Sequence, residues 1–335
     1  MKFLIVCDYR ENFKDYSYYN NLSYNDHANQ KNIAEIISGI RSLQYECEYF
    51  GGIPELVHAV DCHEKYEDCI FLNFSDGMEQ NYSRIQAPAL LDILNVPYSG
   101  SDVFPSALMN NKHFCKQALL NLGISMAKSC IVNKHIPLQP KELENWNFPL
   151  FVKPNCEGSS LGITQSNVCH SLVALETIIQ NLLEEFDELI IEEFVQGVDV
   201  TNYLIGNSSD YPINEVVSAE LFDKSPYAVY GTLEKQNKLR TLYYNDSFLP
   251  ADIVKKLKQQ SILISQTIGA RDICRIDYRV DILNNTIYFI EINSAPRFSN
   301  SSEIGFIAEH RNVHFNDIIK VYIETVLKRL RIQGK

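Results

Sequence analysis

Positive charge is what this chain lacks most plainly. Thirty Lys and Arg residues stand against 42 Asp and Glu, leaving a net charge of −12 over 335 residues. Such a balance repels polyphosphate backbones and anionic lipid surfaces, so nucleic acid and membrane surfaces are not the expected partners. No apolar stretch reaches the roughly 18 residues that a membrane-spanning helix needs. The nine cysteines, among them Cys7, Cys47, Cys115 and Cys274, include no CxxC pair and follow no signal-peptide pattern. They read as buried thiols of a reducing compartment, and a cytoplasmic enzyme is the expectation. The eight histidines, His27, His58, His63, His113, His135, His170, His310 and His314, show no ligand-like spacing, which leaves zinc and a His-based nucleophilic triad without support. Internal repeats and low-complexity linkers are also missing.

What is present is an ordinary globular composition, long enough for two or three packed units around a cleft. The opening MKFLIVCD reads as a buried strand, and Ile33, Ile36, Ile37, Ile40 and Leu43 recur at helical spacing. The pattern repeats with an apolar segment from Cys69 to Phe74 and a helical stretch over 85–94. Residues 1–98 are therefore expected to form a small parallel α/β unit that closes at the turn-rich PYSGSD. A second unit is expected over 99–188, with one helix over 106–122 stopped by Gly123, strands near Cys130 and Phe151, and a helix over 171–186. A third, over 189–335, begins at LIIEEF and carries a long helix over 252–268, two strands and a closing helix over 315–330. The polar stretch 227–247 has no clear period and is the expected long mobile loop.

Two segments carry the chemistry. In FVKPNCEGSSLGIT, Phe151 to Pro154 end a strand, and Gly158, Ser159, Ser160 and Gly162 make a small-residue loop. Such a loop cradles phosphates through exposed N–H groups and hydroxyls, with Lys153 adding a compact positive charge. Its spacing alone is equally that of a plain surface turn.

In RIDYRVDILNNTIYFIEIN, two alternating strands meet at a turn near Asn284. Arg275, Asp277 and Arg279 share one face of the first strand, and Glu291 and Asn293 share one face of the second. A two-residue Asn284–Asn285 turn would put Asp277 and Glu291 on opposite faces, so an odd-length loop or a bulge is expected. Asp277, Glu291 and Asn293 then converge as oxygen donors of the kind that hold magnesium, beside Arg275. A solvated polar hairpin face is the competing reading of the same pattern. The following SAPRFSNSS is rich in hydroxyls and suits a substrate carboxylate. Tyr16, Tyr18, Tyr19 and Tyr24 read as a packed aromatic cluster rather than a pocket lining.

Taken in order, PYSGSD with the Lys112 helix, FVKPNCEGSSLGIT, LIIEEFVQGVDV and RIDY…IEIN resemble the ATP-grasp superfamily, and within it the D-alanine:D-alanine ligase branch, from about residue 70 onward. The resemblance implies an α/β fold with α+β elements, an ATP-grasp pair of subdomains preceded by a Rossmann-like domain. It implies ATP and Mg2+, with Mn2+ as the alternative metal. Lys112 and Lys153 resemble the lysines on the ATP phosphates, and Glu157, Ser159 and Ser160 lie in the phosphate loop. Glu192 resembles the acceptor of the adenine amino group, Glu193, Phe194 and Val195 the hinge along the base, and Asp199 stands where the family usually has a ribose-binding glutamate. Asp277, Glu291 and Asn293 resemble the metal ligands. Arg275 resembles the oxyanion-stabilising arginine, Lys235 a lysine of the mobile loop, and Ser302, with Ser301 beside it, the serine on the acceptor carboxylate.

The implied reaction phosphorylates a carboxylate and joins it to an amine through an acyl phosphate shielded by a closing loop. Three departures point to altered specificity. CDYRENFKDYSYYN replaces the family's early glycine-rich stretch and its glutamate, with Glu11 or Asp15 as candidate substitutes; NFSDGMEQNYSRIQAPALL replaces a His-Gly segment; and Arg297 replaces a glycine. The expected activity is an amino-acid or dipeptide ligase of non-standard specificity acting on a small carboxylate and amine. The alternatives are a genuine D-alanine:D-alanine ligase and, in another class, a nucleotide-binding protein without ligase chemistry. Relatives of this kind are often homodimers.

Overall fold

The computed structural model describes residues 1–13, 27–78, 82–158 and 160–333. Tyr16, Tyr18, Tyr19, Tyr24, Asp15 and Ser159 lie outside the described residues.

The chain begins as three parallel strands, β1 (Lys2–Val6), β2 (Glu46–Gly51) and β3 (Cys69–Asn73), in the order β2-β1-β3. Their crossovers are α1 (Gln30–Ser42) and α2 (Ile53–Asp61), and α3 (Gln86–Leu94) follows β3. The sequence pattern does not mark β2 and α2; ECEYFG of β2 alternates exposed and buried positions only loosely. Ile33, Ile36 and Ile40 form the buried stripe of α1, and Asn29 caps it by accepting the Asn32 N–H at 2.9 Å.

The expected single helix over 106–122 is two helices, α4 (Val103–Asn110) and α5 (Lys112–Leu119). Asn111 between them is extended, and its side chain caps α5 by accepting the Phe114 N–H at 2.9 Å. An asparagine that hydrogen-bonds forward competes with the continuing helix, so the apolar period runs through a break that it does not reveal.

Two antiparallel sheets follow. The first, in the order β4-β7-β5-β6, holds β4 (Ser129–Asn133), β5 (Leu150–Pro154), β6 (Val168–Cys169) and β7 (Glu188–Glu193), with α6 (Leu172–Glu185) packed on β5. The second, in the order β10-β9-β8-β11-β12, holds β8 (Val198–Asn207), β9 (Asp210–Leu221), β10 (Arg240–Tyr244), β11 (Ile273–Asp281) and β12 (Thr286–Asn293). The 227–247 stretch is not a structureless loop. It forms the short helix α7 (Thr232–Gln236) and then β10, which pairs with β9 from Arg240 opposite Leu221 to Tyr244 opposite Val217. Elements of five residues are too short to declare a period.

The long helix α8 (Ala251–Ile268) backs the five-stranded sheet, and α9 (Glu303–His310) and α10 (Phe315–Gln333) complete the chain. One core joins both ends of the sequence: Phe3, Ile5, Ile36 and Ile40 pack with Tyr203, Ile205, Ile319 and Tyr322. Asp272, fully buried, fastens the PYSGSD turn to this core. It takes two hydrogen bonds from Arg329 at 2.7 and 2.8 Å and one from the Gly100 N–H at 2.9 Å. A buried carboxylate satisfied on both oxygens is costly to disturb, which holds β3 and α10 in fixed relation.

Candidate active site

The β11–β12 hairpin places the central cluster. From Asp281 opposite Thr286 to Tyr278 opposite Phe289 the pairing is regular; the register then shifts by one, setting Asp277 opposite Glu291 and Arg275 opposite Asn293. The expected bulge is therefore present, and Ile290 is the residue it displaces. Across β11 on its other side, Arg275, Asp277 and Arg279 stand opposite Tyr203, Thr201 and Asp199 of β8.

Arg275 clamps Asp277 through Nε to Oδ1 at 3.0 Å and Nη2 to Oδ2 at 2.8 Å, and Thr201 Oγ1 donates to the same Oδ1 at 2.8 Å. Asn293 turns its amide nitrogen to both carboxylates, 3.2 Å from Asp277 Oδ2 and 3.4 Å from Glu291 Oε1. Lys112 reaches Glu291 Oε2 at 3.4 Å. Burial by itself raises the Glu291 carboxyl, but Lys112, Lys153 and Arg275 together pull it down to about 2. Burial raises Asp277, with Arg275 opposing and Glu291 adding to the rise. The three expected oxygen donors thus converge, each already balanced by a cation or an amide.

Lys153 projects from β5 to Glu192 Oε2 at 2.8 Å. The second oxygen of Glu192 is taken by Lys116, a residue outside the motifs that mark the site in the sequence. Lys116 lies one helical turn beyond Lys112 on the buried face of α5, the i,i+4 signal that would have found it. Burial tends to raise the Glu192 carboxyl, yet Lys116 and then Lys153 hold it at about 2; burial leaves Lys116 below the ordinary lysine value despite its partner. The carboxylate expected to meet adenine is engaged on both oxygens by lysines. Glu193 accepts from the Asn147 N–H at 2.8 Å and Lys128 Nζ at 3.3 Å, and with Phe194 and Val195 it lines the cavity beside them.

The small-residue loop closes against the segment after β9. Ser160, at φ +60°, donates its hydroxyl to the Tyr230 carbonyl at 2.8 Å, and Thr232 Oγ1 donates back to the Ser160 carbonyl at 2.9 Å. Gly162, at φ +70°, has the Phe186 ring 2.8 Å from where a Cβ would stand, so only glycine fits there. The Glu157 carbonyl accepts from Lys112 Nζ.

Two cavities meet at this cluster. One, of about 250 Å3, is lined by Lys153, Glu157, Glu192, Val195, Asp199 and Glu291. The other, of about 790 Å3, is lined by Arg84, Asn293, Arg297, Ser301 and Ser302 among others. Tyr230, Lys235, Arg240, Arg275 and Glu303 line both.

Arg240 is ion-paired with Glu303 at the start of α9 and lies 4.5 Å over the Tyr230 ring. Glu303 would be raised by burial, but Arg240 and Arg275 hold it at about 2. Nothing in the sequence marked this pair, whose members are 63 positions apart. Arg84 joins Asp76 at 3.1 Å and approaches Asn293 Oδ1 at 3.4 Å.

In the 294–302 turn, Arg297 is exposed, and its carbonyl accepts from Tyr203 at 2.9 Å and Ser302 at 3.0 Å. The Ser302 hydroxyl proton is thus committed to the turn itself, and Ser301 Oγ lies 3.2 Å from Ser299 Oγ. Glu11 is exposed.

A profile of the D-ala D-ala ligase C-terminus family matches residues 120–324. Sequence relatives include the D-alanine–D-alanine ligase of Phocaeicola vulgatus, 31% identical over 238 residues that cover 70% of this chain and 69% of the relative. That of Aquifex aeolicus is 30% identical over 236 residues, covering 70% and 75%. Among solved structures, the ATP complex of D-alanine–D-alanine ligase from Bacillus anthracis covers the whole of both chains with a TM-score of 0.74 at 19% identity. The VanG D-Ala:D-Ser ligase from Enterococcus faecalis gives 0.74 at 18%, covering 97% and 99%. At these identities the structural likeness carries the fold.

Proposed function

The chain belongs to the D-alanine–D-alanine ligase family of ATP-dependent, amide-forming ATP-grasp enzymes, and we propose that it joins two D-amino acids, D-alanine with D-alanine first among the pairs, through a D-alanyl phosphate. The observation that carries this reading is the Arg275–Asp277–Glu291–Lys112 cluster standing where the two cavities meet. In this reading ATP occupies the smaller cavity, its base along Phe194 and Val195 and its phosphates toward Lys153, Lys112 and the loop at 157–160. The amino acids occupy the larger one.

The donor set fits a hard divalent cation. Two carboxylates face each other at one register position, and Asn293 can offer its amide oxygen by turning about its side-chain axis. Magnesium held there supplies charge neutralisation on the phosphate oxygens. The protein's own part is positioning: Lys112 and Lys153 draw the γ-phosphate toward the carboxylate, and Arg275 faces the oxyanion that forms when the amine attacks. Lys235 and the segment around it keep water from the acyl phosphate. The turn holding Arg297, Ser301 and Ser302 receives a substrate carboxylate, Ser302 by rotating its hydroxyl away from the turn carbonyls.

A second reading, a ligase of shifted specificity, draws on one observation: the larger cavity carries Arg297 and the Arg240–Glu303 pair, charge beyond what two alanines need. One experiment separates the two. Purified protein with ATP and Mg2+ is screened against pairs of D- and L-amino acids, with ADP followed by a coupled assay and dipeptide by chromatography. D-alanine alone should give both products. Dipeptide only from another pair supports the second reading, and ADP without any dipeptide overturns both.

A further inference from the structure

Arg279 is the third member of the polar face that carries Arg275 and Asp277, and it belongs neither to the metal set nor to the oxyanion. It sits directly opposite Asp199 in the β8–β11 ladder. Its guanidinium ties three parts of the nucleotide cavity together. Nη1 donates to Asp199 Oδ1 at 2.5 Å, Nη2 donates to the Ala228 carbonyl at 3.0 Å, and the guanidinium carbon lies 5.6 Å from the centre of the Phe194 ring. The side chain is 11% exposed, against 32% for Asp199. Phe194, Asp199 and Arg279 all line the smaller cavity.

Asp199 therefore has one oxygen fixed and the other, Oδ2, without a hydrogen-bond donor among the described residues. An aspartate is shorter than a glutamate by one methylene, about 1.5 Å of reach. A short carboxylate free to rotate would reach a ligand hydroxyl only part of the time. One oxygen locked to a planar guanidinium holds the other in a single orientation.

We propose that Arg279 is a positioning residue for nucleotide recognition: it fixes Asp199 so that Oδ2 accepts a ribose hydroxyl. Through the Ala228 carbonyl and the Phe194 ring it also holds the cover and the hinge around the sugar. The inference rests on the reading that ATP occupies the smaller cavity.

The test compares ATP with 2′-deoxy-ATP and 3′-deoxy-ATP in the full-length enzyme, by kcat/KM for ADP release at saturating amino acid. A hydroxyl donated to a carboxylate gives the wild type a preference for ATP of roughly tenfold or more over at least one deoxy analogue. In Arg279→Met that preference should fall toward one, with KM for ATP raised and KM for the amino acid unchanged. Arg279→Lys, which keeps the charge but not the fork, should restore it only in part. Asp199→Asn should also lose the preference, and tests the ribose contact itself.

If Asp199→Asn loses the preference and Arg279→Met retains it, the inference is overturned while the nucleotide reading stands. If the wild type shows no preference, Asp199 does not read the sugar and the inference falls with it. If both of these arginine variants melt far below the wild type, the ratio of ATP to deoxy-ATP binding is measured calorimetrically on folded Arg279→Gln: a ratio equal to the wild type's overturns the proposal, and a ratio near one sustains it.

Discussion

Asp277 faces Glu291 across the hairpin only because Ile290 stands out of the ladder between them. The loop 282–285 has four residues, and continued without interruption its register would pair Asp277 with Ile290. Both carboxylates now point to one side, at the cost of a kink in a single strand.

Asp277→Asn and Glu291→Gln each remove one charged oxygen donor from the set. Each substitution should lower ADP release on the order of 100-fold and shift its half-maximal Mg2+ concentration upward. A coupled ADP assay across a Mg2+ series measures both. Unchanged Mg2+ dependence in both variants would show that the cation sits elsewhere.

Lys116 and Lys153 share one buried carboxylate. Lys116→Met leaves Glu192 with Lys153 as its sole cation, drawing that lysine toward the carboxylate and away from phosphate. KM for ATP should rise several-fold with little change for the amino acid, and stability should drop by about 1–3 kcal/mol. Steady-state kinetics and urea unfolding check the two halves independently.

The same cluster sets a pH dependence. Glu192 is depressed from 4.5 to about 2 in the folded protein. The native state thus holds the proton less tightly than the unfolded chain, and the stabilisation is complete above about pH 5. It disappears as pH falls from 4.5 toward 2. The stability difference between wild type and Glu192→Gln, from urea unfolding between pH 7 and 3, should be largest at neutral pH and shrink in acid. A difference that stays constant would mean that Glu192 is not held charged by its lysines.

Glu303→Gln tests the contact that closes the segment over the junction. Without its charge Arg240 loses the partner that ties β10 to α9. Water should then reach the acyl phosphate more often, so the ratio of ADP to dipeptide should rise above one while kcat for ADP release falls less. Simultaneous assay of both products reads it; a ratio that stays at one would assign the pair to stability alone.

What the sequence disclosed follows from the length of its elements and the range of its contacts. β11 and β12 run for nine and eight residues, long enough for alternation to sort Arg275, Asp277, Glu291 and Asn293 by face and to demand the bulge. α7 and β10, at five residues each, carry no period, and 227–247 therefore read as a loop. Asn111 ended a helix by a capping bond that hydrophobic spacing does not register. Lys116 shares the buried face of α5 with Lys112, a local pattern that marks the residue, but its pairing with Glu192 and that of Arg240 with Glu303 are set by packing between elements 76 and 63 positions apart. Motif order singles out Glu192 but not the two lysines on which its charge is spent.

The segment between β9 and α8 is fastened on two sides, to Ser160 through Tyr230 and Thr232 and to Glu303 through Arg240. Both cavities thus share one door. In the proposed reading, a spent nucleotide would leave by baring the newly made dipeptide, and the dipeptide by loosening the nucleotide. If opening of this segment limits release in that reading, kcat should fall as solvent viscosity rises.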